Sequence, residues 1–424
     1  MNKRLLLISP YFPPHGVVGE KRALNMVNYL PAHGWEVIVL ASPPHFQEKR
    51  VSSFHKDSAT VVNYGFITPW LRPIINLFTS KPGLSTSVKP GLPKKPLKSL
   101  TPLDQYMWDI PGALKVGKAL IRKHKPDLIL VNADPWSGLV VGHQLSQWSG
   151  ISWIADLRDP WTVFEEKMAL RPKLIQRWIH RLENTFFHSA SQVILNTRSS
   201  KQKYTEVYST SVSAKFSFVR NAFDRSLYDP ASSNSGKDQV FRFGYFGSFR
   251  KFVSPESLLK AFALFVQKYD HSSDEVRLVM TGSPNSEFIY YLNDLELQSF
   301  CDIQPAVEVS QTIEVLKSWD VLLMVVSHYY RLMVPAKLYD YLAAQKPILA
   351  LSENAEVNDI INETKSGIVC HLDAVEQIAD QMEHLFQSRL SDLDNYGAIE
   401  GYSVETQVQK MDEILTQVLL DHSK

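Results

Sequence analysis

From one end of this chain to the other, short apolar runs of strand length alternate with stretches of helical periodicity. That order is met by parallel strands joined through crossover helices that cover both faces of a sheet. In the first half the runs are Leu5 to Ile8, Trp35 to Leu40, Leu128 to Val131, Ile151 to Ala155 and Val193 to Leu195. In the second they are Phe241 to Phe246, Val276 to Met280, Val321 to Val326, Ile348 to Leu351 and Gly367 to Cys370. With 424 residues the chain exceeds one core, so the two sets read as two doubly wound, Rossmann-like α/β domains. The stretch Leu227 to Gln239 has linker composition around Ser232-Ser233-Asn234-Ser235-Gly236-Lys237. We therefore read 1–214 as the N-terminal domain, 215–239 as a linker, 240–395 as the C-terminal domain and 396–424 as a final segment with an amphipathic helix from Val404 to Leu420.

One segment breaks the alternation. Between Tyr64 and Leu103 stand Pro69, Pro73, Pro82, Pro90, Pro93, Pro96 and Pro102, which exclude a regular core element. Lys81, Lys89, Lys94, Lys95 and Lys98 occur there without an acidic neighbour, after an apolar patch of Trp70, Ile74, Ile75, Leu77 and Phe78. We read it as a mobile loop able to touch an anionic membrane surface or a lipid-linked acceptor, or else as a solvated linker without a partner. The formal net charge of +1 gives no global pull toward nucleic acid or membrane. Cys301 and Cys370 lie far from any metal-ligand spacing and read as buried thiols of a reducing compartment. Leu5 to Ile8 is too short for a signal peptide, and no run approaches the roughly 18 apolar residues of a membrane span. The expectation is a cytoplasmic protein, at most peripheral on the inner face of a membrane.

The stretch Val334-Pro335-Ala336-Lys337-Leu338-Tyr339-Asp340-Tyr341-Leu342-Ala343-Ala344 reads as a helix opened by Pro335 and stopped by Gln345-Lys346-Pro347 before the strand at Ile348. Lys337 has the wrong sign for the first turn, a mismatch of about 0.3 to 1 kcal/mol that a nearby anion would remove. The alternative is an exposed pair of Lys337 with Asp340 at i,i+3.

In an open parallel sheet, ligands bind outside the C-terminal ends of the strands. Three loops at such ends carry polar residues. After the first strand come Gly16 and Gly19, and then Arg22 in a helix. After the strand ending at Ala155 come Asp156-Leu157-Arg158-Asp159-Pro160-Trp161, either a polar reaction site or an Arg158 ion-paired with Asp156 or Asp159 to order the loop. After the strand ending at Phe246 come Gly247, Ser248, Arg250 and Lys251, a glycine turn beside two cations suited to an anion. His143 and Asn132 have routine readings as satisfied polar residues.

These motifs resemble those of the GT-B glycosyltransferases of family 4. The stretch 334–350 is similar to the family pattern P-x-K-x-x-E-Y-L-A-x-G-K-P-I-L-A. The opening loop and Gly34-Trp35-Glu36-Val37 resemble its P-P-x-G-G and G-W-E-V, and Asp156 to Trp161 resembles the D-F-R-D-P-W segment of one branch. Val219-Arg220-Asn221-Ala222-Phe223-Asp224 is similar to its interdomain P-N-G-V-D. The resemblance implies a GT-B fold, two Rossmann-like domains facing a central cleft, with the C-terminal helix packing back on the first domain. It implies donor binding by Gly16, Gly19, Gly247, Ser248, Arg250, Lys251, Lys337, Leu338 and Asp340, the last on the ribose, with Asp156, Arg158 and Asp159 as catalytic candidates. Departures are Val17 and Gln345 at Gly positions, Ala222 at another, and Leu332 where the family carries the first acid of a Glu-x7-Glu pattern.

No HExxH, GKS/T loop or Gly-x-Ser-x-Gly elbow is present, which removes most hydrolase readings. The implied activity is retaining transfer from a nucleotide-diphosphate sugar to a glycan or polyprenyl-linked acceptor, with no cofactor, no metal and no nucleic acid. Arg, Lys and helix N-termini would then stabilise the departing diphosphate. A non-catalytic nucleotide-sugar-binding partner of another transferase, and an epimerase on the same fold, are the competing expectations.

Overall fold

The computed structural model of the chain describes residues 3–13, 19–42, 59–64, 103–225, 240–249, 252–308, 311–388 and 399–422. The chain divides into two compact units, one of Met1–Arg220 with Val408–Lys424 and one of Asn221–Gln407.

The first unit is built on β1 (Lys3–Ser9), β2 (Trp35–Ala41), β3 (Ala59–Asn63), β4 (Leu128–Ala133), β5 (Trp153–Leu157), β6 (Gln192–Leu195) and β7 (Phe216–Phe218). Among the described residues they form one sheet in the order β3-β2-β1-β4-β5-β6-β7, with every pair parallel. Leu5, Leu6, Leu7, Leu128, Ile129 and Leu130 at its centre have no exposed surface. Burying each such side chain contributes about 1.5–3 kcal/mol, which is why these runs were readable as strands. The order reverses between β1 and β4, so the loops after these strands diverge and leave a crevice.

The second unit repeats the plan with β8 (Phe241–Phe246), β9 (Val276–Thr281), β10 (Cys301–Gln304), β11 (Val321–Val326), β12 (Ile348–Ser352) and β13 (Gly367–Cys370). Their order is β10-β9-β8-β11-β12-β13, again all parallel, with the reversal between β8 and β11. One face is packed with Phe243, Phe262, Phe265 and Leu323, the other with Trp319, Leu338, Tyr341 and Ile360. The C-terminal helix Val404–His422 starts in the second unit, and its residues from Val408 belong to the first. There Asp412 accepts from Lys3 Nζ at 3.0 Å and from Trp35 Nε1 at 2.7 Å.

Three strands had no counterpart in the sequence reading: β3, β7 and β10. All are edge strands and partly exposed, so their composition is mixed and short. β7 also lies within the stretch read as a linker, so the first sheet extends to Phe218. Both cysteines are free, but only Cys370 is buried, because Cys301 opens the edge strand β10. The proline-rich segment lies outside the described residues except for its ends, where Tyr64 and Leu103 are buried.

Candidate functional site

In the first unit the crevice at the strand-order reversal collects residues from β1, β4 and β5. Asp156, the penultimate residue of β5, has no exposed surface. Its carboxylate accepts from Arg22 Nε at 2.8 Å, Arg22 Nη2 at 2.6 Å and Asn132 Nδ2 at 2.9 Å. The remaining Arg22 nitrogen donates to the carbonyls of Val219 at 2.9 Å and Arg220 at 3.2 Å. This overturns two expectations. Asp156 is a buried structural acid, not a catalytic candidate, and its ion-pair partner is Arg22 from the first helix, not Arg158. The carboxylate is held by three donors inside the protein and has no exposed surface to offer a substrate.

Arg158 and Asp159 sit beyond the end of β5 on a loop held from behind. Trp161 N–H donates to the Tyr204 hydroxyl at 2.8 Å. Buried Glu183 accepts from Thr162 N–H at 3.1 Å, from the Thr162 hydroxyl, from Tyr204 at 2.9 Å and from Tyr208 at 2.8 Å. Such a satisfied buried network rigidifies what it holds. Arg158 Nη1 is buried and has no hydrogen-bond partner. Its guanidinium carbon lies 5.8 Å from the Tyr11 ring centroid, and a Cβ added to Gly19 would stand 1.5 Å from Nη1. Gly19 thus leaves the space that the Arg158 guanidinium fills, while its backbone angle of −64° is open to any residue.

Asp134, the residue after β4, completes the group and was not singled out from the sequence. Burial, and then the neighbouring Asp159, push its carboxyl up from 3.8 to about 6, against the opposing pull of Arg158. Asp104 fixes the far side, accepting from Ser137 N–H and Tyr106 N–H at 2.8 and 2.9 Å, and burial raises its pKa too. Trp136 and Trp161 stack with centroids 4.7 Å apart and planes 4° from parallel. Asn-Ala-Asp-Pro after an apolar run was the available signal for Asp134. Gly16 lies outside the described residues.

In the second unit the helix Lys337–Ala344 stands against the reversal between β8 and β11. Tyr341 secures it: its hydroxyl accepts from Phe246 N–H at 3.2 Å and donates to the Leu323 carbonyl at 3.1 Å, so it bridges both strands. At the first turn, Lys337 Nζ lies 3.7 Å from the Tyr245 ring centroid, and that ring stacks on Phe249 at 4.1 Å. Asp340 is half-buried on the same helix, one turn on. Leu338 is corrected: its side chain is fully buried and its N–H donates to the Pro335 carbonyl at 3.0 Å, so it packs the core and offers no donor to a ligand. Leu332, an apolar side chain where the resembled pattern has its first acid, is buried at 7% exposed.

After β8, Ser248 is exposed and Gly247 has a φ of 104°. A Cβ on Gly282 would lie 2.3 Å from the Gly247 carbonyl oxygen, so this close approach of two loops excludes any side chain there. Arg250 and Lys251 lie outside the described residues. Asn354 caps the next helix by accepting from Val357 N–H at 3.1 Å, and its amide donates to the carbonyls of Tyr330 and Met333 at 2.7 and 2.8 Å. The loop between β11 and Lys337 is thereby tied down. Among the described residues, no group of three or more His, Cys, Asp or Glu is placed to hold a metal ion. His143 and Asn132 have local partners, Ser189 at 2.8 Å and Asp156.

Two all-parallel sheets, each with its reversal and with polar loops at that reversal, match solved structures over nearly the whole chain. A sucrose-phosphate synthase from Thermosynechococcus elongatus superposes with a TM-score of 0.67 at 14% identity, covering 99% of this chain and 100% of that one. The fold is GT-B. A glycosyltransferase from Rickettsia africae gives 0.63 at 14% identity, covering 99% of each chain. The Anabaena protein HepE, in complex with UDP-glucose, gives 0.64 at 15% identity over 98% of this chain and 99% of that one. Within this GT-B chain, residues 240–388 match the family described as Glycosyl transferases group 1. No curated protein matches the chain. No helix among the described residues of this GT-B chain is long and apolar enough to cross a membrane.

Proposed function

We propose that this protein transfers a sugar, with retention of configuration, from a nucleotide-diphosphate sugar to a hydroxyl of a glycan or polyprenyl-linked acceptor. The setting would be surface polysaccharide or glycolipid assembly at the inner face of a membrane. The observation that carries the reading is the group 1 glycosyltransferase match over 240–388, the part of the chain that holds Lys337 and Gly247 at its strand-order reversal. In the transfer, the bond from the anomeric carbon to the diphosphate breaks, the acceptor oxygen bonds to that carbon as its hydroxyl proton passes to the departing diphosphate, and negative charge grows on the leaving group. Lys337, with Arg250 and Lys251, stabilises that charge without a metal, and Asp340 accepts from the ribose. Arg158, Asp159 and Asp134 form the acceptor end.

The experiment is a panel of radiolabelled nucleotide sugars, UDP-glucose first, incubated with and without a lipid extract. Donor hydrolysed or moved to lipid supports transfer; isomerised donor supports an epimerase. Buried Leu332 favours one second reading, a nucleotide-sugar-binding partner of another transferase, which predicts donor binding without turnover. Calorimetric titration of a nucleoside diphosphate against Lys337→Ala tests the donor assignment, with an expected weakening of roughly tenfold or more. Unchanged affinity in a folded variant would remove Lys337 from the site.

A further inference from the structure

Helix Lys173–Ser189 presents large apolar side chains on the wrong face. Its core-facing stripe is Ile179, Glu183, Phe186 and Phe187, all buried. At 100° per residue, Leu174, Arg177, Trp178 and Arg181 fall on the opposite side, where a surface helix is normally polar. Leu174 is 74% and Trp178 is 49% exposed, and Leu170, three residues ahead of the helix, is 69% exposed. The charge on this stretch is one-sided. From 167 to 181 the chain carries Lys167, Arg171, Lys173, Arg177 and Arg181 and no acid. The first acid after it, Glu183, is buried and held by Thr162, Tyr204 and Tyr208, and Glu165 before it faces Lys203 at 3.6 Å.

We infer that the outward face of this helix, with Leu170, is a docking surface for an anionic lipid bilayer. Leu170, Leu174 and Trp178 enter the headgroup layer, with Trp178 at the level where its ring meets both apolar chains and water. Lys173, Arg177 and Arg181 border that stripe and lie against the anionic headgroups. The charge complementarity selects the partner: a second copy of the chain would bring the exposed Lys173, Arg177 and Arg181 against the same three cations, whereas an acidic membrane meets them all. The inference rests on this surface and not on the transferase reading, and donor turnover in solution tests the latter separately.

The test is sedimentation of the full chain with vesicles of phosphatidylcholine alone or mixed with phosphatidylglycerol, at low and high salt. Wild type should bind the anionic vesicles and be released by salt, since the attraction is screened within a Debye length. Lys173→Gln, Arg177→Gln and Arg181→Gln together should weaken binding about a hundredfold. Leu174→Gln with Trp178→Gln should weaken it roughly tenfold or more. Both variants lie on the surface and should keep wild-type thermal unfolding. Equal vesicle binding by wild type and both variants overturns the proposal. So does concentration-dependent self-association, lost in the Leu174 and Trp178 variant, without vesicle binding by wild type.

Discussion

The Arg22 guanidinium grips the Asp156 carboxylate through two hydrogen bonds of 2.8 and 2.6 Å, with the two side chains 5% and 0% exposed. Through Nη1 the same arginine reaches the carbonyls of Val219 and Arg220, so one side chain ties the first helix, β5 and the chain just beyond β7 together. Removing one partner leaves the other charged and buried, at a cost of about 3–5 kcal/mol. Urea unfolding of Arg22→Ala and of Asp156→Ala should each show a loss of that size. A loss below about 1 kcal/mol in both would mean the pair does not organise the unit.

Gly19→Ala should damage function without unfolding the protein. The new Cβ would collide with the end of a flexible side chain, Arg158, and not with backbone, so the guanidinium moves aside. Misplacement by about 1 Å can cost on the order of a hundredfold in rate, so donor turnover should fall at least tenfold while urea unfolding changes by less than about 1 kcal/mol. In an Arg158→Ala background the same change should have no further effect on turnover. Additive losses would show that Gly19 acts independently of Arg158.

Asp134 sets a pH dependence whose sign follows from its raised pKa, about 6 against 3.8. The folded state holds this proton more tightly than the unfolded chain does. Its stabilising contribution is therefore complete below about pH 4 and lost as pH rises through about 6. Asn mimics the protonated form. The melting temperature of Asp134→Asn should match that of wild type near pH 4 and exceed it by a growing margin up to about pH 7. A margin that does not change with pH would show that Asp134 is not protonated in this range.

Gln345 closes helix Lys337–Ala344 in the left-handed conformation, with a φ of 53° and its N–H on the Leu342 carbonyl. Glycine adopts that conformation without the Cβ clash, so Gln345→Gly should stabilise the protein by about 0.5–1 kcal/mol despite the looser unfolded chain. Chemical denaturation that shows destabilisation would mean that the Gln side chain makes a contact worth more than the strain.

The strands that were legible in advance are those whose burial is written continuously into the residues. β8 and β11 begin and end where their apolar runs do, at Phe241–Phe246 and Val321–Val326, and the edge strand β13 was legible because Gly367–Cys370 is apolar throughout, although only Cys370 is buried. The short helix after Pro335 was legible too, because Pro and the Gln-Lys-Pro stop are local signals. The edge strands β3 and β10 were not, since polar residues interrupt their short runs and the mixed composition resembles a loop.

What this sequence determined by itself was the alternation of elements, and with it two all-parallel sheets whose loops gather polar residues at one edge. Partner choice among those polar residues was decided only in three dimensions. Arg22 and Asp156 are 134 positions apart, and no spacing rule connects them; the β1-β4-β5 neighbourhood does. The same holds for Gly19 facing Arg158, for Asp134 being pushed up by its burial, and for Tyr341 bridging β8 and β11. Apolar burial acts on every residue of a run and so leaves a periodic trace. A single hydrogen bond or ion pair depends on where two distant backbones bring two atoms, which local sequence does not encode.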